Sequence, residues 1–305
     1  MSGLLFFLFF LPAISEVEAT GRLLSCLAKQ DKSCLAGELK AVPRHDSAEY
    51  LSAAAEAYLL LGRNAEAVTA IESAVKLKST DYGMIMQQGR TYQRCGDHVR
   101  AIQSFLLAAK VNQTSGVFYE IGLSFFLLHE YERAGRHFVH AIQLDEKNHK
   151  AEFMLAAMDI LKDNNEAGAK SHLERALSIE PGNPHYLLHY GVLLMTSNDL
   201  DTAAAVLEKA LKADPSNPLT HYNLGRLRRQ MGDMPAATTL LEAAVRMRPE
   251  LARAHYQLAA AYRALGETVK AQKATEQFLR FKDKDRDDDP VGSPPSYAFR
   301  DQPAK

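Results

Sequence analysis

The chain has 305 residues, a formal net charge of −1 and 47% hydrophobic residues, with no tryptophan. This near-neutral balance argues against general nucleic-acid binding, which usually shows a basic excess. The apolar content is enough to bury a large core.

The N-terminus reads MSGLLFFLFFLPAISEVEATG, with an unbroken apolar run Leu4–Leu11 closed by Pro12. That run is far short of the roughly 20 residues a membrane-spanning helix needs. It is followed by small residues, Ala13 and Ser15 or Val17 and Ala19, as in a cleaved secretory signal, although no positive charge stands near Met1. The expectation is a signal over residues 1–19 and a secreted or periplasmic protein. The alternative is a buried N-terminal helix in a cytoplasmic protein.

Residues 20–47 form the next segment, a degenerate helical hairpin whose helical pattern starts near residue 16. Cys26 and Cys34 fall in CLAKQDKSC, which reads as helix, turn, helix. Across such a hairpin they could meet as a disulfide, which an exported protein permits. Reduced core cysteines are the other reading. Cys95 is left over in the turn RCGD.

From residue 48 to 283 the chain repeats. Small residues recur every 34 positions at Ala157, Gly191, Gly225 and Ala259, and again at Ala169, Ala203, Ala237 and Ala271. Pro181, Pro215 and Pro249 keep the same spacing. With single-residue slips the register continues upstream, giving seven units that start near Ala48, Tyr82, Ser115, Lys150, Pro184, Pro218 and Ala252. A fixed period of this length points to stacked helical hairpins. Within a unit the apolar residues keep helical spacing, as at Phe153, Ala157 and Ile160, then Ala169, Leu173 and Ala176. Turns such as Asn198-Asp199 and Gly232-Asp233 separate the two helices, because Gly and Asn tolerate the left-handed conformation and Asp caps the next helix. The segments EPGNP and DPSNP separate units, where Pro ends one helix and opens another. Gly225 and Ala237 are expected where the paired helices cross.

HYNLGRLRRQMGDMPAATTLLEAAVRMRP resembles the tetratricopeptide repeat (TPR) pattern of Leu-Gly, Tyr, Gly-Asp, Ala, Phe, Ala and Pro. His221 and His255 take the family's Trp slot. Tyr58, Tyr92 and Tyr262 keep its Tyr slot, where Phe125, Ile160, Leu194 and Arg228 stand in other units. The resemblance implies an all-α fold, a right-handed superhelical solenoid of antiparallel helix hairpins. It also implies that the first helix of each unit lines a concave face where protein or peptide ligands lie.

Carried over by the phase of the small residues, that groove would include Arg90 and Arg94, then Tyr119, Phe126, Met154, Met158, Leu188 and His189. Tyr222, Asn223, Arg226 and Arg229 would follow, and then Arg253, Tyr256, Gln257 and Arg263. It would be basic near both ends and apolar through its middle. His189, Asn223 and Gln257 share one slot in successive units, a ladder of the kind that holds a peptide backbone. The arginines could pair bidentately with carboxylates. A clamp for acidic C-termini needs a Lys and an Asn where this chain has Leu188 and Val192, so the resemblance does not extend to that clamp.

The tail, residues 284–305, is charged and proline-rich and is expected to be disordered. Its run DKDRDDD departs from a calcium loop, with Asp288 in place of the Gly and Pro294 in place of the closing Glu. His185 and His189 are four apart, as are zinc ligands, yet no HExxH and no third ligand accompany them, and His137 and His140 are a similar bare pair. With no phosphate loop or GxSxG, the expectation is a non-enzyme without cofactor or metal. It would be an exported adaptor that binds a partner protein or an extended acidic-apolar peptide. The alternative is a carrier holding an apolar small molecule or acyl chain in the groove centre. The last unit lacks a clear capping helix, so a second copy could cover its end face.

Overall fold

The computed structural model describes residues 15–41 and 46–282. The run Leu4–Leu11 and the tail 284–305 lie outside these residues. Among the described residues there are sixteen α-helices and no strand. They divide after His129 into two compact units, each taken by itself.

The first unit opens with α1 (Glu16–Ala28) and α2 (Lys32–Ala41), and Ser15 caps α1 by accepting from the Glu18 amide. Cys26 and Cys34 are joined across the hairpin, their Cα atoms 5.7 Å apart. Ala19, Leu23 and Leu35 pack with Tyr50, Ala53 and Ala57 of α3 (Ala48–Leu60). The hairpin therefore begins inside the segment assigned to a signal, and Ala19 is a buried residue of α1. Next come α4 (Asn64–Leu77), α5 (Tyr82–Arg94), α6 (His98–Val111) and α7 (Ser115–Leu127).

The second unit holds α8 (Tyr131–Leu144), α9 (His149–Met158) and a π-helical turn Asp159–Asp163, then α10 (Glu166–Ile179). It continues with α11 (Pro184–Thr196), α12 (Leu200–Ala213), α13 (Pro218–Gln230), α14 (Met234–Met247), α15 (Ala252–Ala264) and α16 (Thr268–Phe281). Within the first unit α3 packs on α4 and α5 on α6, and within the second α9 packs on α10, α11 on α12, α13 on α14 and α15 on α16. Each second helix packs in turn on the next first helix of its unit.

Local chemistry sets these boundaries. Asn183 and Asn217 accept amide hydrogens at the starts of α11 and α13, where Pro184 and Pro218 occupy the first turn. The turns between paired helices end in the left-handed region, at φ +87° for Gly232 and +61° for Asn198. His129 does the same at φ +60° without a glycine.

The small residues make room for large ones. A Cβ on Gly225 would stand 2.8 Å from Leu241 Cγ, and one on Gly89 would stand 2.4 Å from the Phe105 ring. The closest side chain to Gly225 is thus Leu241, and Ala237 on the same helix is fully buried. Leu241 belongs to a series of six apolar residues at one position of the second helices. Ile71 and Phe105 hold the position in the first unit, and Phe138, Leu173, Leu207 and Leu241 in the second, all fully buried. Truncating such a residue typically costs about 2–5 kcal/mol. In α16 the position is Thr275, which donates to the Ala271 carbonyl and accepts from Arg263. A half-buried polar residue therefore stands in the last described hairpin where the others place a fully buried apolar one.

Candidate partner-binding face

Three first helices of the second unit, α11, α13 and α15, present one arginine-rich face. Arg226 leaves α13 and reaches Met195 of α11, with Nη2 3.8 Å from Sδ. Its guanidinium carbon also lies 5.8 Å from the Tyr222 ring, and that of Arg253 on α15 lies 5.9 Å from the same ring. Tyr222 thus sits between two cations, an arrangement favoured by the negative face of its π-system. Arg229 Nε donates to Gln257 Oε1 on α15 at 2.7 Å. Among the described residues neither Arg226 nor Arg229 forms an ion pair with a carboxylate, and Arg226 Nε is buried without a hydrogen-bond partner. Tyr256, the residue before Gln257 on α15, is 53% exposed, its ring 5.4 Å from Phe278. Half-buried guanidinium groups that retain donors are suited to binding carboxylates.

The arginines expected at the other end behave differently. In the first unit Arg90 Nε donates to Glu120 at 2.9 Å and Arg94 Nη1 to Glu56 at 2.8 Å. Their charge is met within the fold. Arg263 turns to the Thr275 hydroxyl of α16 at 2.8 Å.

The expected apolar groove lining is a packed interior instead. Tyr119 and Phe126 in the first unit, and Met154, Met158 and Leu188 in the second, are all buried. Helix-to-helix packing closes over these side chains, so they present no apolar trough. The polar ladder is also engaged. Asn223 is 2% exposed and donates from Nδ2 to the Leu219 carbonyl one turn back, at 2.9 Å. Gln257 accepts from Arg229. His189 meets the Phe153 ring edge-on at 5.1 Å, in a cluster where Phe153 stacks on Tyr186 at 4.9 Å and the Tyr186 hydroxyl lies 2.8 Å from His149 Nδ1. His189 keeps a partly open edge, yet burial pushes it down to about 4, with the nearby His185 adding a smaller contribution.

Two polar features escaped the reading of the sequence. Arg228 donates to Glu208 of α12, as the Tyr92 hydroxyl donates to Glu72 at 2.7 Å and that of Tyr262 to Glu242. Burial first, and the Glu72 acceptor second, push Tyr92 up to about 12. The signal was available: Glu38, Glu72, Glu174, Glu208, Glu242 and Glu276 lie at multiples of 34 residues. The other feature is Glu152, only 4% exposed on α9, which accepts from Arg175 Nε at 2.9 Å and lies 2.6 Å from His172 Nδ1. Burial works to raise its carboxyl, but the hydrogen bonds from His172 and Arg175 together outweigh it and hold the group below the usual carboxylate range. The first feature ties the second helix of one hairpin to the first helix of the next, and the second braces the two helices of a single hairpin, α9 and α10.

Models of the tetratricopeptide repeat family match residues 48–81, 160–227, 194–245 and 222–285, together more than half of the chain. The chain belongs to the tetratricopeptide repeat family. Its hairpins are those of a class of helical scaffolds that serve protein–protein interaction. No curated protein sequence matches it significantly.

Solved structures share the fold at low identity. The structure described as the APC/C hetero-tetramer Cut9-Hcn1 matches with a TM-score of 0.62 at 17% identity, over 80% of this chain and 48% of that one. The present chain thus spans about half the length of that relative. PilW, described as a widely conserved type IV pilus biogenesis factor, matches with a TM-score of 0.58 at 18% identity, over 65% of this chain and 92% of its own. PilF of Pseudomonas aeruginosa matches with a TM-score of 0.58 at 16% identity, over 66% and 92%.

Proposed function

We propose that this protein is an exported adaptor that binds an acidic segment of a partner protein across α11, α13 and α15. The carrying observation is the absence of a carboxylate partner for Arg226 and Arg229 among the described residues, and Tyr256 is exposed on α15. A ligand carboxylate would supply the charge that Glu120 and Glu56 supply to Arg90 and Arg94. Tyr256 and the stems of the arginines offer apolar contact alongside. The carrier alternative loses its support, because Met154, Met158 and Leu188 are committed to packing.

Export is part of the proposal. The apolar run Leu4–Leu11 supports it, as does the joined Cys26–Cys34 pair. The processing site would follow Ser15 rather than Ala19, which leaves α1 with its full length and its buried Ala19. N-terminal sequencing of protein recovered from its native cell tests this point, and a first residue of Met1 or Thr20 would refute it.

The binding reading is tested by affinity purification with quantitative mass spectrometry, comparing the native chain with an Arg226→Glu/Arg229→Glu variant. The expected result is loss of a partner that carries an acidic segment. Undiminished recovery of every partner would overturn it.

A further inference from the structure

The second helices of the last hairpins carry a feature that the arginine face does not use. A cleft of about 420 Å³ opens between α14 and α16, floored by α15. Val245, Leu258 and Ala274 form its apolar part, with Arg246 on the α14 wall and Lys270 and Lys273 on the α16 wall. Glu242, also in the cleft, accepts from the Tyr262 hydroxyl. Lys270 pairs with Glu267 at 2.6 Å and lies 5.3 Å from the Tyr262 ring. Among the described residues Arg246 and Lys273 form no ion pair. Two cations on opposite walls thus face one apolar floor.

The chain leaves the hairpin beside this cleft. Phe281, the last residue of α16, lies 6.0 Å from the His255 ring, and His255 lines the cleft. Beyond it the sequence carries Asp283, Asp285, Asp287, Asp288 and Asp289, against Lys282, Lys284 and Arg286. Lys273 stands nine residues before Lys282, which is about 14 Å back along the helix at ~1.5 Å per residue. Five to seven extended residues beyond Lys282 reach roughly 17–25 Å. Asp287, Asp288 and Asp289 can therefore come back over Lys273.

We propose that this chain's own segment Asp287–Asp289 docks in the α14–α16 cleft, its carboxylates set between Arg246 and Lys273. Exposed ion pairs are individually weak and screened by salt. Tethering makes the contact intramolecular, at an effective concentration on the order of millimolar for a short linker. The docked segment would lie over the second helices and leave the arginine face of the first helices uncovered.

Hydrogen–deuterium exchange of the full chain at low salt tests the proposal, with a synthetic peptide of residues 283–305 as the reference. Amides beyond residue 286 should exchange at least about fivefold more slowly in the chain than in the peptide. Arg246→Glu/Lys273→Glu should return them to the peptide rate with helical circular dichroism unchanged. Adding Asp287→Lys, Asp288→Lys and Asp289→Lys to that variant should restore the protection by exchanging the charges. Exchange at the peptide rate in the native chain would overturn the proposal, and so would protection that survives the cleft reversal. Protection that rises with protein concentration would assign the segment to a second copy and overturn intramolecular docking.

Discussion

Arg228 of α13 donates to Glu208 of α12, the position at which Tyr92 donates to Glu72 and Tyr262 to Glu242. An arginine in a slot that other units give to tyrosine is therefore no misfit, and it is not part of the binding face. Its neighbours Arg226 and Arg229 point to other first helices. Three arginines within four residues thus divide between tying successive hairpins together and presenting charge. Arg228→Tyr should leave the urea midpoint almost unchanged. Arg228→Ala should cost no more than about 1 kcal/mol, because Glu208 is half exposed.

Gly89 faces the Phe105 ring across the α5–α6 crossing. Replacing Gly by Ala inside a helix ordinarily stabilises by about 1 kcal/mol. Here the added Cβ would fall on a rigid, fully buried ring, and overpacking costs about 1–3 kcal/mol. Gly89→Ala should therefore lower the denaturation midpoint, while Gly37→Ala, which has open space around it, should not. Equal midpoints for the two variants would contradict the packing described for this crossing.

Stability should fall on mild acidification. The folded pKa of His189 is about 4, below its ordinary value of 6.5, so folding favours the neutral ring. The contribution is complete above about pH 6.5 and is lost as pH falls toward 4. It amounts to about 1–2 kcal/mol after allowance for the ring's open edge. His149, in the same cluster, is lowered by burial and acts in the same direction. Urea denaturation at several pH values should show a smaller loss between pH 6.5 and 4.5 in His189→Gln than in the native chain.

Cys26 and Cys34 are joined, and Cys95 is half-buried and free. Alkylation of the denatured, unreduced protein should add one label, and alkylation after reduction should add three. Three labels without reduction would remove one support for export.

The repeat made most of the fold legible. First helices begin at Ala48, Tyr82, Ser115, His149, Pro184 and Pro218 because Ser47, Asp81, Thr114, Asn148, Asn183 and Asn217 cap them, while the helix that starts at Ala252 follows Leu251 without a side-chain cap. The left-handed turn at His129 carried no Gly or Asn to announce it. The site was less legible, for a physical reason. Helical phase tells which side of a first helix a residue occupies, but not whether the neighbouring first helix closes over it. Tyr119, Met154 and Leu188 were therefore assigned to a groove and lie in the interior. Phase is also silent on whether a charge finds a partner, which separates Arg90 and Arg94 from Arg226 and Arg229.

That last distinction is the central claim, and the affinity of paired variants for the captured partner segment tests it most directly. A charge-assisted hydrogen bond contributes about 1.5–3 kcal/mol, so Arg226→Gln/Arg229→Gln should weaken binding by about 100-fold or more. Arg90→Gln/Arg94→Gln, whose charges are already met by Glu120 and Glu56, should change it by less than about threefold. Equal losses in the two variants, or a larger loss in the second, would contradict the account.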